Sequence, residues 1–159
     1  MYYGPVFIGT PAQTFGEYSI LPLSSALLTF RAAEIDFDTG SADAWVPGPT
    51  SQSRHKKFVT NASSTLAEST TPFRIQYGTG STEGVLARDT FTIAGLTVPQ
   101  QVFALASSSV PIFEQLPSDG IIGLAFSTIS SSNSPNFFEN LMLANAVASV
   151  SCLLSSTPC

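Results

Sequence analysis

Charge is scarce in this sequence: Asp, Glu, Lys and Arg together make up 11% of its 159 residues, where soluble domains usually carry about 25%. Six basic residues and a formal net charge of -5 exclude the concentrated positive footprint that a phosphate backbone demands, so no nucleic-acid partner is expected. Long apolar runs are also missing. None approaches the roughly 20 residues of a bilayer span, and no membrane partner is expected. The opening Met1-Tyr2-Tyr3-Gly4-Pro5 lacks the basic and apolar regions of a signal peptide. Only two cysteines occur, Cys152 and Cys159, which suffice for one local bridge and exclude a disulfide framework. The single histidine, His55, sits in the polar run Arg54-His55-Lys56-Lys57 and reads as part of a solvated loop. With no second histidine or cysteine beside it, no metal is expected. No Gly-x-Ser-x-Gly elbow and no glycine-rich phosphate loop are present, which removes two further classes of chemistry.

Short β-type runs remain, and they fill the chain: Val6–Ile8, Ile35–Phe37, Ala44–Val46, Phe73–Tyr77, Val85–Ala87, Thr90–Ile93, Leu96–Val98 and Gln101–Leu105. Phe73–Tyr77 and Thr90–Ile93 alternate apolar and polar residues, as half-buried strands do. Ala94-Gly95 and Gly78-Thr79-Gly80-Ser81 mark tight turns. Ser134 to Leu143 predicts one short helix, with Ser134 as cap, Pro135 in the first turn, and Phe138, Leu141 and Met142 on one face. A chain of this size buries roughly two thirds of its unfolded surface, so one compact, mainly β domain is expected. Asn61-Ala62-Ser63 is a glycosylation sequon, meaningful in a secreted chain.

The sharpest feature is Ile35-Asp36-Phe37-Asp38-Thr39-Gly40-Ser41-Ala42-Asp43-Ala44-Trp45-Val46-Pro47. An Asp that ends an apolar strand and meets Thr-Gly at once sits on a tight turn, where backbone N–H groups can hold its carboxylate in one orientation. Asp and Gly are also ordinary turn formers, and the three residues alone carry little. The wider pattern resembles the active-site signature of pepsin-like (A1) aspartic endopeptidases, of a secreted, fungal type. The resemblance continues in order: Tyr3 to Phe15 with Ile8-Gly9-Thr10-Pro11 is similar to the family's first strands. Ile75-Gln76-Tyr77-Gly78-Thr79-Gly80-Ser81 with Gly84 to Asp89 is similar to its flap hairpin, and Asp119-Gly120-Ile121-Ile122-Gly123-Leu124 to its Asp-Gly-Ile segment.

The resemblance implies one lobe of a pepsin-like double-ψ β-barrel, the acid protease fold, with a short helix near the C-terminus. It implies that Asp38 is one of two catalytic carboxylates that share a proton around a water. Thr39 would bond to its counterpart in the other lobe, Gly40 would keep the turn tight, and Ser41 would orient Asp38. Tyr77 would ride on a flap with Trp45 as its partner, and Gly78 and Thr79 would bind the substrate chain. Phe113 and Ile121 would line a side-chain pocket. No cofactor is implied; the partners are a peptide or protein substrate and a carboxy-terminal lobe, in a secreted or vacuolar setting.

Two segments depart from the family pattern. Residues 16–33 read as an insertion within an amino-terminal lobe spanning 1–149, and 150–159 as a tail foreign to the family. Both begin with residues that the splice-donor sequence GTGAGT can encode, Gly16-Glu17-Tyr18 and Val150-Ser151, so both are expected to be translated introns. A second Asp-Thr-Gly is missing, and the chain is expected to be a truncated lobe without activity of its own. The alternatives are a homodimeric, retropepsin-like protease that pairs two copies of Asp38, and a non-catalytic module that binds peptide or protein.

Overall fold

The computed structural model describes residues 2–15 and 34–147. The expected insertion at 16–33, the tail at 150–159 and both cysteines lie outside the described residues. Among the described residues one sheet contains nine strands: β1 (Tyr3–Gly4), β2 (Val6–Ile8), β3 (Gln13–Phe15), β4 (Glu34–Asp38), β5 (Ala44–Pro47), β6 (Ala67–Tyr77), β7 (Gly80–Ile93), β8 (Leu96–Ser108) and β9 (Ser118–Gly123). Helix α1 (Phe137–Leu143) follows. The class is the expected one, mainly β with one short helix near the C-terminus.

Alternation is clearest at the end of β6, where Phe73 and Ile75 are buried and Arg74 and Gln76 exposed, as a strand with one wet face requires. The short runs read separately at 85–87 and 90–93 are parts of one strand, β7, and those at 96–98 and 101–105 are parts of β8. Register shifts between Asp89 and Phe91, and Gln100 at φ 57°, break the period-two pattern without ending the ladder, as bulges do. Between β7 and β8, Ala94 (φ 50°) and Gly95 (φ 81°) are both left-handed, the geometry that lets a two-residue hairpin follow the strand twist.

The sheet order is β1-β4-β9-β5-β8-β7-β2-β3, with β6 on β7. β4 and β5 are consecutive in the chain yet do not pair. β9 lies between them, parallel to β4 and antiparallel to β5. The sheet curls around a core built on Val6, Ile8, Ile35, Phe91, Phe103 and Leu141. A second cluster, with Trp45, Phe73, Ile75 and Phe113, lies under the β6–β7 hairpin.

The helix starts later than expected, and Ser134 is not its cap. Asn136 accepts from the Glu139 N–H at 2.9 Å while Glu139 Oε2 accepts from the Asn136 N–H at 3.0 Å, a reciprocal capping box that satisfies two otherwise unpaired donors. Phe137 and Leu141 are its buried residues, and Met142 is exposed. The buried face is therefore rotated from the one that spacing suggested.

Candidate active site

β4 carries its chain from the buried Ile35 to Asp38 at its end, where Asp38 stands opposite Gly123 of β9. Residues 39–43 must then pass over the end of β9 to enter β5. They do so at van der Waals limit: a Cβ on Gly123 would lie 2.5 Å from Ser41 O, Ala42 C and Asp43 N. Only glycine permits this approach. Three backbone hydrogen bonds lock the crossing: Leu124 N–H to Asp38 O at 2.8 Å, Gly123 N–H to Asp43 O at 3.0 Å and Ala125 N–H to Ser41 O at 2.9 Å.

The half-buried Asp38 carboxylate accepts the Gly40 N–H on Oδ1 at 2.8 Å. Thr39 and Gly40 are exposed at the turn. Ser41, expected to orient Asp38, does not bond to it: its Oγ is buried without a hydrogen-bond partner. It lies near enough to the Tyr77 hydroxyl to influence that group's ionisation. Two residues before Asp38, burial raises the Asp36 carboxyl above the usual carboxylate range, and the neighbouring Asp38 charge adds to the effect.

β6 and β7 form a hairpin whose last pair is Tyr77 and Gly80. Gly78 and Thr79 are exposed at its tip, and the Gln76 side-chain amide braces the turn by donating to Tyr77 O at 2.9 Å and Gly80 O at 3.1 Å. Tyr77 is the hairpin's link to the Asp38 region. Trp45, 1% exposed, donates its Nε1–H to the Tyr77 hydroxyl at 2.9 Å. Burial pushes the Tyr77 phenol up to about 12 despite the Trp45 hydrogen bond, which favours the phenolate; the Asp38 and Asp43 charges push it further the same way.

Phe113 is buried against Trp45, with ring centroids 4.6 Å apart. Ile121 is half-buried in the same cluster. Behind Phe113 stands His55, and here the sequence reading needs correction. His55 is 4% exposed, not solvated. Its ring lies 4.7 Å from that of Phe113, its Nε2 is 3.1 Å from the Phe113 carbonyl, and its Nδ1 is 3.4 Å from Asp119 Oδ1. Carbonyl oxygens only accept, so in the Nε2 contact the ring donates an N–H to Phe113 O. Glu114 braces the same loop by accepting the Arg54 N–H at 3.1 Å. Burial works against its charge, but hydrogen bonds from Ser53 and Arg54 and the nearby His55 and Arg54 hold its carboxyl below the usual range. Among the described residues no cluster of three or more His, Cys, Asp or Glu is placed to hold a metal.

Two structural contributors have no local signature in the sequence. Asp43 is buried and accepts from Ser130 Oγ at 2.7 Å, Ser131 N–H at 2.7 Å and Ser132 N–H at 3.0 Å, which ties the Asp38 turn to a loop nearly ninety residues on. Asp119 receives the Lys56 N–H at 3.1 Å.

The sequence matches the eukaryotic aspartyl protease family over residues 29–156. Cathepsin D of Dictyostelium discoideum is 36% identical to it, over 99% of this chain and 39% of the relative. Pepsin A of Gallus gallus is also 36% identical, over 92% of this chain and 36% of the relative, and chymosin of Camelus dromedarius 35% identical, over 92% and 35%. The chain thus spans little more than a third of the length of these relatives. With the Asp-Thr-Gly turn, the strand inserted beside it and the overhanging hairpin, these matches establish that the chain belongs to the pepsin-like (A1) family of eukaryotic aspartyl proteases.

Proposed function

We propose that this chain is the amino-terminal lobe of an acid-acting aspartic endopeptidase, in which Asp38 activates water together with a second carboxylate from outside these residues. The observation that carries the proposal is the Asp38 turn: one carboxylate, held by a backbone N–H and by a locked crossing, beneath a hairpin joined to the same platform through Trp45 and Tyr77. Two carboxylates close together cannot both ionise, so the pair holds one proton. The ionised member takes a proton from water as the water's oxygen attacks the peptide carbonyl. The other gives its proton to the carbonyl oxygen, and proton return to the amide nitrogen then breaks the C–N bond. Thr39, exposed at the turn, would meet the complementary lobe, while Gly78 and Thr79 would hold the substrate backbone as the flap closes and excludes bulk water. Phe113 and Ile121 would shape a side-chain pocket, and no cofactor takes part.

Alone, this chain would lack the proton-sharing partner and turn nothing over. Purified chain should show no hydrolysis of a peptide at acidic pH. A polypeptide extended by its downstream-encoded lobe should hydrolyse it and lose roughly 10²–10⁴-fold on Asp38→Asn. Turnover by a monomer of the present chain would overturn the lobe assignment; turnover by a two-fold dimer would favour the retropepsin-like alternative. Binding of a transition-state-mimicking peptide would favour either enzyme reading, whereas binding of a plain peptide with neither turnover nor capture of the mimic would favour a binding module. The same proposal treats 16–33 and 150–159 as translated introns, a reading that rests on the two donor-like codon runs and on the departure of both segments from the family pattern. Mature transcripts that all retain both segments would remove that part. A secreted or vacuolar destination and a fungal character rest on the sequence resemblance.

A further inference from the structure

One motif is not absorbed by proteolysis. Of the chain's asparagines, only Asn61 lies in an Asn-x-Ser/Thr triplet without proline, Asn61-Ala62-Ser63. Asn133-Ser134-Pro135, which comes nearest, has no Ser or Thr at its third position. Asn61 lies in the middle of a 3-10 turn, Thr60–Ala62, on the connection between β5 and β6, and it is exposed.

The surroundings of that turn are firmly tied. Gln13 Nε2–H donates to Val59 O and the Val59 N–H donates to Gln13 Oε1, both at 2.8 Å. Ser64 N–H donates to Thr10 O at 2.7 Å, and Thr10 N–H to Ser63 Oγ at 3.0 Å. The Asn61 side-chain amide takes no part in these bonds. An asparagine kept for structure is normally bonded through its side chain, as Asn136 and Asn140 are. Asn61 is presented on a rigid support and left open to solvent.

The position is also compatible with the proposed cleft. After the turn, the chain rejoins the sheet where Thr65 Oγ1 donates to Asp89 Oδ1 at 2.6 Å and Ala67 pairs with Arg88. Asp89 lies nine positions along β7 from Gly80 at the flap, roughly 30 Å of strand path. Beside Asn61, Val59 leaves 49% of its surface exposed, and charged groups are scarce on this chain as a whole. A hydrated, neutral polymer at this position would cover apolar surface without adding charge.

We infer that Asn61 is the acceptor of an N-linked glycan. The inference rests on the proposed secretory destination, and the test separates the two. The full chain is expressed behind a supplied cleavable signal peptide in a eukaryotic secretory host, and compared before and after treatment with peptide N-glycosidase. Transfer acts on the chain as it emerges, so a variant that fails to fold still reports. A single mobility step should collapse on treatment, with Asn61 recovered as aspartate in the peptide map. Asn61→Gln should abolish the step, and Ser63→Thr should keep it. An unmodified chain, in cells that glycosylate a reporter protein, overturns the inference, as does a glycan that persists in Asn61→Gln. A chain that is unmodified from its native gene but modified behind the supplied signal removes the secretory destination and leaves the acceptor site standing.

Discussion

Asp38-Thr39-Gly40-Ser41 and Tyr77-Gly78-Thr79-Gly80 are two tight turns that both contain threonine and glycine, and the structure treats them oppositely. The first is packed against Gly123 with no room for one added carbon, and backbone bonds to residues 123–125 fasten it. The second projects into solvent: a Cβ on Gly78 would find no atom within 4 Å, and its link to the Asp38 platform is the Trp45–Tyr77 pair. The contrast matches what the proposed chemistry asks of each. A carboxylate that moves protons must hold its geometry to fractions of an ångström, whereas a cover that admits a peptide has to open. One scaffold supplies both by locking one turn with backbone contacts to a neighbouring strand and leaving the other held mainly by side chains at its root.

The largest test of this contrast is Trp45→Ala, since the indole serves both regions. Removing a buried side chain of this size should cost about 3–5 kcal/mol in denaturant unfolding, and a loss under about 1 kcal/mol would mean that the indole does not join hairpin to platform. Gly123→Ala comes next. The clash is with main chain, which cannot rotate away, so the cost should reach about 3 kcal/mol, the upper end of the usual overpacking range; a neutral result would show that the crossing at 41–43 is not locked.

Tyr77 gives a test by pH. Its folded value lies above that of the unfolded chain, so the stability gained by keeping the phenol neutral is complete below pH 10 and is lost as pH rises toward about 12. Ultraviolet titration should find this phenol ionising at about 12, and Trp45→Ala, by exposing it, should move it back toward 10. Ionisation near 10 in the intact chain would mean that the hairpin root is not buried. The smallest expected effect belongs to Gly78→Ala, within about 0.5 kcal/mol of zero. A large loss there would show that the flap tip is as constrained as the Asp38 turn, and the comparison would fail.

Local chemistry carried a good deal of this molecule in its sequence. Alternation at Phe73–Tyr77 marked the end of β6, Gly78-Thr79 marked its turn into β7, Ala94-Gly95 marked the turn from β7 into β8, and Asp38-Thr39-Gly40 marked a carboxylate on a strand end. Each depends on neighbours within a few residues, so a linear reading has access to it. The length of β7 and β8 was hidden by bulges, which disturb periodicity while leaving the ladder intact. His55 was misread because Arg54, Lys56 and Lys57 around it are exposed, and only the packing of Phe113 and Asp119, some sixty residues on, reveals that the ring faces inward.

By itself, then, the sequence determined the strand and turn types, the order of the family motifs, and the identity of the one Asp-Thr-Gly carboxylate, because backbone preference and side-chain pattern are local properties. Tertiary structure alone decided that β9 enters between β4 and β5, that Gly123 must lack a side chain there, that Asp43 fastens the turn through Ser130–Ser132, and that the Ser41 hydroxyl is buried without a partner. Those outcomes depend on which distant segments meet when the sheet curls around its core, and steric exclusion at 2.5 Å has no counterpart in residue order.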